Sequence, residues 1–260
     1  MAATITPEEL YKKIEAREDF LLVDVRAEDK YNHFHIEGDA VQELNLPKTN
    51  IFQLEEEHSQ SLPELPADKK MVITCTTGNS AARCAAILSD RNYHAVVLEG
   101  GITAWKEYVS RKSVIQMWEK YKEIQPEAPD RYEAWSFGDS KEMADNLLNL
   151  TAAGVKTATA SNYLLYQAEN EPLPEPGLHN IILDGDGIAA AIVETTSVEV
   201  VPFNEVTEEH AYLEGEGDRS LRYWREVHEA FFTKELKEIN GDFYDTMPVV
   251  CEKFRLVYKK

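Results

Sequence analysis

Met71-Val72-Ile73-Thr74-Cys75-Thr76-Thr77-Gly78-Asn79-Ser80-Ala81-Ala82-Arg83 passes from an apolar run of strand length, through a polar loop, into an alanine-rich segment. The segment from Ala81 to Asn92 is rich in Ala, Leu, Ile and Arg and reads as a helix. Working outward, Phe20 to Val25 is a second short apolar run. Ala95 to Leu98 is a third, closed by Gly100-Gly101. Thr6-Pro7-Glu8-Glu9 has the form of a helix start, with a capping threonine, a proline in the first turn and a glutamate completing a capping box. Strands alternating with helices imply a parallel α/β sheet with flanking crossover helices. Glu55 to Lys70 holds four glutamates with Pro63 and Pro66, has no apolar period and is expected to be a loop.

The placement of Cys75 between strand and helix has a chemical consequence. Amide N–H groups at a helix start carry partial positive charge and point into the preceding loop. A thiolate or persulfide held there is stabilised. Gly78 lets the loop curl so that several amides converge on one anion, which makes Thr76, Thr77, Gly78, Asn79 and Ser80 the expected binding loop. The other reading is a buried structural cysteine at a strand end.

This half resembles a single-domain rhodanese over Thr4 to Tyr108. The resemblance is carried by Asp24-Val25-Arg26, His35-Ile36-Glu37-Gly38, the Cys75 loop and Gly100-Gly101-Ile102-Thr103-Ala104-Trp105. It implies that Cys75 is a nucleophile that accepts a sulfane sulfur and passes it to a thiol or other acceptor. Asp24 and Arg26 are then expected as a structural ion pair, and His35 as a packed loop histidine. Thr76 and Ser80 stand where many active rhodaneses carry arginine, which leaves Arg83 as the nearest cation in sequence. Anionic donors such as thiosulfate should bind weakly, and a protein persulfide or small persulfide is the expected donor. The loop length from Cys75 to Ser80 suits sulfur better than the bulkier phosphate of the related phosphatases. Cys84 is expected to pack on its helix.

The second half begins near Ser113. Val114 to Ile124 has helical spacing, ended by Pro126 and Pro129. A helix is expected over Lys141 to Ala153 and another over Ser220 to Lys237. Short strands are expected at Asn180 to Asp184, Ile188 to Thr195, Val198 to Pro202 and Val249 to Tyr258, with a hairpin turn at Asp184-Gly185-Asp186-Gly187. This pattern describes a small α+β barrel with helical cover.

Gly154-Val155-Lys156-Thr157-Ala158-Thr159-Ala160-Ser161 sets one long cation among small and hydroxyl residues. As a strand it would place Lys156, Ala158 and Ala160 on one face and Thr157, Thr159 and Ser161 on the other. As a loop it would let Lys156 and Thr159 converge. A lone lysine is ordinarily a solvated charge; a desolvated one can be a base or nucleophile. Glu214, Glu216 and Asp218 read, by themselves, as a solvated acidic loop, and Trp135 and Trp224 as core aromatics that could also stack on a base.

The half from Ser113 to Lys260 is similar to the ASCH family of PUA-like barrels. The matching pieces are Trp135-Ser136-Phe137-Gly138-Asp139, Gly154-x-Lys156-x-x-Thr159, Glu171-Pro172-Leu173-Pro174, Pro202-Phe203 and His210 to Asp218. Some members bind RNA, some cleave it, and a group of small bacterial members hydrolyses the amide of N4-acetylcytidine. In that group a lysine, a threonine and a glutamate are catalytic; by motif they fall on Lys156, Thr159 and Glu214. The resemblance then implies Lys156 as base or nucleophile, Thr159 as a proton relay and Glu214 as the group that orients the lysine. Ser161 stands where those enzymes carry arginine.

At 260 residues the chain is long for one domain, and two are expected, 1–110 and 111–260. The net charge is −20, with 11 Lys/Arg against 19 Asp/Glu in 1–108 and 16 against 28 beyond. Neither half has the basic footprint of a duplex-DNA binder, so a nucleoside or short RNA is the expected partner. Three scattered cysteines provide neither a disulfide framework nor zinc-type spacing, and neither a metal nor a cofactor is expected. The first residues lack a signal-peptide pattern, no apolar run reaches membrane-spanning length, and a reducing cytoplasm is expected. The expected function is a sulfurtransferase fused to a domain that acts on a nucleoside or RNA. The alternatives are a non-catalytic RNA- or nucleotide-binding module in the second half, or a persulfide- and redox-sensing interaction protein throughout.

Overall fold

The computed structural model describes residues 2–39, 41–56, 62, 65–66 and 68–260. The chain forms two compact units, Met1–Arg111 and Lys112–Lys260.

In the first unit the elements run β1 (Ala3–Ile5), α1 (Pro7–Glu15), β2 (Leu21–Asp24), α2 (Glu28–His33), β3 (Gln42–Asn45), α3 (Lys48–Glu56), β4 (Lys70–Thr74), α4 (Asn79–Ser89), β5 (His94–Leu98) and the start of α5 (Gly101–Ile124). The five strands form one parallel sheet in the order β1-β5-β4-β2-β3. Successive side chains point to opposite faces, so the apolar runs bury both. Val23, Met71, Ile73 and Val97 pack with Ile51 and Leu54 of α3 and with Ala81, Cys84, Ala85 and Leu88 of α4. Leu22, Val72 and Leu98 pack with Leu10 of α1 and with Ile102 and Trp105 of α5. The capping box at α1 forms: Glu9 N–H donates to Thr6 Oγ1 at 3.2 Å and Thr6 N–H to Glu9 Oε2 at 2.9 Å. The expected loop over 55–70 is corrected at both ends, where Glu55 and Glu56 close α3 and Lys70 opens β4. Residues 57–61, 63–64 and 67 of that stretch lie outside the described residues.

Helix α5 does not begin at Val114, as its spacing suggested, but runs unbroken from Gly101, because nothing between Ile102 and Ile124 is a proline or glycine. Its later residues Val114, Met117, Trp118 and Tyr121 pack in the second unit, on Ile181 and Ile192.

The second unit continues with β6 (Tyr132–Ser136), α6 (Lys141–Ala152), β7 (Ala158–Asn162), α7 (Tyr163–Glu169), β8 (His179–Leu183), β9 (Ala189–Pro202), α8 (Glu208–Glu214), α9 (Leu221–Glu238) and β10 (Pro248–Lys259). The strands form a mixed sheet in the order β6-β8-β9-β10-β7, curled as a half-barrel of the PUA-like kind. The two strands expected over Ile188 to Pro202 are one. The pairing of β9 with β10 jumps from Ser197↔Lys253 to Thr195↔Phe254, leaving Thr196 as an extra residue whose hydroxyl donates to the Lys253 carbonyl at 3.0 Å. A bulge of this kind absorbs a polar residue without ending the strand. At the expected hairpin turn, Asp184 Oδ1 accepts from Asp186 N–H at 3.0 Å and Ile188 N–H at 2.9 Å, and Gly187 takes a φ of 80°.

Candidate functional site

The Cys75 loop is shaped from two sides. Ile102 N–H donates to the Cys75 carbonyl at 2.9 Å and Thr103 N–H to the Thr76 carbonyl at 3.1 Å. These donors belong to the first turn of α5, where amides have no partner within the helix. The loop carbonyls are thereby drawn toward α5. Gly101, at φ 61°, is the residue that permits the approach: a Cβ there would lie 2.2 Å from the Cys75 carbonyl oxygen and 2.8 Å from Gly78 N.

On the other side, α4 begins after Gly78, which sits in the left-handed region at φ 89° and supplies no side-chain cap. Cys75 takes that place. Its Sγ accepts the N–H of Ala81, the third residue of the helix, at 3.4 Å. Cys75 is 6% exposed, at the floor of the loop, while Thr76, Thr77 and Asn79 are exposed and Ser80 is half-buried around it. The structure thus shows one amide on the sulfur where the sequence suggested several. Arg83 sets its guanidinium over the Phe52 ring, 4.1 Å from its centroid, and Cys84 is buried on the core face of α4. Arg26 Nη2 pairs with Asp24 Oδ2 at 2.6 Å, an ion pair buried at the end of β2. His35 stacks on Tyr31 with ring centroids 4.1 Å apart, and its Nε2 lies 3.1 Å from Glu37 and 3.3 Å from Glu43.

In the second unit Lys156 precedes β7 and is 1% exposed. Its Nζ donates to Glu214 Oε2 at 3.0 Å and to Glu216 Oε1 at 2.7 Å. Glu214 closes α8, is 1% exposed, and through Oε1 also accepts Trp224 Nε1–H at 2.6 Å. His210 Nε2 lies 3.2 Å from the same oxygen and His228 Nε2 lies 3.6 Å from it. Burial works against both charges. For Lys156 the two carboxylates outweigh it and hold the ammonium above the usual lysine range. For Glu214, Lys156 and then the two histidines outweigh it and hold the carboxyl far below the usual range. The acidic segment expected to be solvated is therefore in part an interior ion cluster; Asp218 alone of the three carboxylates is exposed. The signal for its histidines was present in the sequence. His210 with Glu214, and Trp224 with His228, stand four apart and share helical faces.

Thr159, Trp135 and Ser161 share one face of the sheet. Thr159 is directly opposite Glu252 in the β7–β10 ladder, Ser161 Oγ is 3.1 Å from Tyr166 Oη, and Trp135 Nε1–H donates to Asn180 Oδ1 at 3.0 Å. Glu252 is 7% exposed, and burial pushes its carboxyl up to about 7. Sequence reasoning passed over it, because a glutamate in an alternating strand reads as solvent-facing. Among the described residues no group of His, Cys, Asp and Glu side chains is arranged to hold a metal ion, and no helix is long and apolar enough to cross a membrane.

Comparison with known proteins agrees with this division. Residues 6–108 match the rhodanese-like domain and residues 133–258 the ASCH domain. The chain is 31% identical over 114 residues to the probable adenylyltransferase/sulfurtransferase MoeZ of Mycobacterium tuberculosis, a match over 44% of this chain that spans only 27% of that protein. It is 30% identical over 109 residues to a sulfurtransferase of Allochromatium vinosum, covering 42% of this chain and 92% of that one. The crystal structure of an ASCH domain from Lactobacillus crispatus is similar with a TM-score of 0.54 and 31% identity, over 56% of this chain and 95% of that domain.

Proposed function

The chain belongs to the rhodanese-like family in its first half and to the ASCH family in its second, and on that footing we propose that it is a sulfurtransferase joined to a domain that acts on a nucleoside or short RNA. The observation that carries the first part is the Cys75 sulfur accepting the Ala81 amide at the mouth of α4. A helix start stabilises negative charge on sulfur, whether thiolate or persulfide. The Cys75 thiolate attacks the outer sulfur of a persulfide donor, the donor's S–S bond breaks, and the donor leaves as a thiolate. An acceptor thiolate then takes the outer sulfur from Cys75 and regenerates its thiolate. With Thr76 and Ser80 in the loop in place of arginines, a small or protein-bound persulfide is the donor in preference to thiosulfate. A reducing compartment such as the cytoplasm keeps the resting cysteine a thiol.

In the second half the Lys156–Glu214 pair supports an amidohydrolase of the N4-acetylcytidine type. Both members hold their charges, so Lys156 serves as a cation toward the acetyl carbonyl rather than as a base, and Glu214 fixes its position. Glu216, the partner nearest solvent, gives way to substrate, and Thr159 assists proton transfer. The near-complete burial of Lys156 favours a second reading, a nucleoside- or RNA-binding module without turnover.

The test is an assay of purified full-length protein. Sulfur transfer from a persulfide donor lost in Cys75→Ser supports the first half, and equal rates for variant and wild type remove Cys75 from the chemistry. Hydrolysis of N4-acetylcytidine lost in Lys156→Ala supports the amidohydrolase. Binding without turnover supports the module. Neither, with Cys75 readily persulfidated, leaves a persulfide sensor.

A further inference from the structure

Glu252 ends a chain of hydrogen bonds that runs in one direction. Trp135 Nε1 has only a hydrogen to give, so Asn180 presents Oδ1 to it at 3.0 Å. Asn180 Nδ2–H is then turned to Thr195 Oγ1 at 3.1 Å, and the Thr195 hydroxyl donates to Glu252 Oε2 at 3.3 Å. These residues come from four strands, β6, β8, β9 and β10, and Thr159 of β7 faces Glu252 from the fifth.

The direction of the chain has a consequence for the carboxyl group. Oε2 is fixed as an acceptor, so a proton taken up by Glu252 resides on Oε1. Among the described residues, Glu133 of β6 and Tyr166 of α7 are the titratable groups that act on or feel Glu252, with Glu171 beside Tyr166; Asn180, Thr195 and Thr159 carry no charge. The burial of Glu252 and the nearby negative Glu133 both favour the acid form. In that form the group presents one donor, Oε1–H, beside one acceptor, Oε2. A nucleobase edge with a ring-nitrogen acceptor next to an exocyclic N–H, such as N3 and N4–H of a cytosine, is its complement. Half-buried Trp135, Thr159 and Ser161 share this face of the sheet, and Tyr166 Oη lies 3.1 Å from Ser161 Oγ.

We propose that Glu252, aligned by Trp135, Asn180 and Thr195, is the residue that holds the base edge of a cytosine-type nucleoside in the ASCH half. This rests on the nucleoside reading of that half and adds the residue and the edge it recognises. Glu252 is a binding residue, and the Lys156–Glu214 pair addresses the acyl group.

The test is calorimetric titration of the full-length protein with N4-acetylcytidine between pH 6 and 8. Glu252→Gln keeps a carbonyl for Thr195 and an N–H donor, and so mimics the acid. The expected result is that wild-type affinity falls as pH rises past about 7, and that Glu252→Gln matches the low-pH affinity and loses the pH dependence. Glu252→Ala binds at least about fivefold more weakly at pH 6, the lower range for one bidentate base contact. An unchanged pH slope in Glu252→Gln, or unchanged affinity in Glu252→Ala, overturns the inference and leaves the nucleoside reading standing. No binding by the wild-type protein at any pH overturns both.

Discussion

Lys156 and Glu214 bury one charge of each sign, and the two groups cannot be judged separately. Removing one partner strands the other in the interior, a loss of about 3–5 kcal/mol for a buried pair. Lys156→Ala is therefore expected to lower the stability of the second unit by that amount in denaturant unfolding. A change below about 1 kcal/mol would mean that the pair behaves as a surface ion pair. The pH dependence separates the buried carboxyls by sign. Glu214 is held below its ordinary value, so its contribution is present at neutral pH and is lost only as pH falls well into the acid range. Glu252 and Glu235 are both pushed up by burial, from 4.5 to about 7. The folded state binds more protons than the unfolded state in that window, so their contribution is greatest below it and is lost as pH rises through it. Glu252→Gln is expected to reduce the decline in stability between those two values. An identical decline in the variant would show that the carboxyl is not neutralised in the fold.

At the scale of elements, legibility followed burial. The apolar runs at Met71 to Thr74 and Ala95 to Leu98 read as strands because both of their faces are covered. The Cys75 loop read as a site because its strand, glycine and helix are contiguous. Strand β7 has the sequence Ala-Thr-Ala-Ser-Asn, with no apolar run to announce it, because its hydroxyl side faces a polar stretch of sheet. Helix α8 was obscured by its acidic residues, of which only Glu214 is buried, on Lys156, 58 residues away in sequence. The enclosure of Glu252 likewise arises only when four other strands assemble around it. The glycine that shapes the sulfur loop lies on another element again, and yields a prediction. Gly101→Ala places a Cβ 2.2 Å from the Cys75 carbonyl at a φ that disfavours side chains. Sulfur transfer should fall at least about tenfold in this variant, a displacement effect on a positioned nucleophile. Far-UV circular dichroism should remain that of the folded protein, and full activity would mean that the loop does not depend on this close approach.

For the molecule as a whole, each unit has its own core and its own candidate site: Cys75 is built entirely from the first, and Lys156, Glu214 and Glu252 from the second. Cys75→Ser is accordingly expected to leave N4-acetylcytidine binding unchanged when measured by titration; a change in affinity would show that the sulfur chemistry and the nucleoside site are coupled. In the proposed chemistry the sulfur at the mouth of α4 is the acceptor of a sulfane sulfur. Intact-protein and peptide mass spectrometry after exposure to a small persulfide tests it directly. The expected result is the added mass of one sulfur on the peptide holding Cys75, removed by an acceptor thiol and absent from Cys75→Ser. The same added sulfur on Cys84 or Cys251, or on the Cys75→Ser protein, would contradict it.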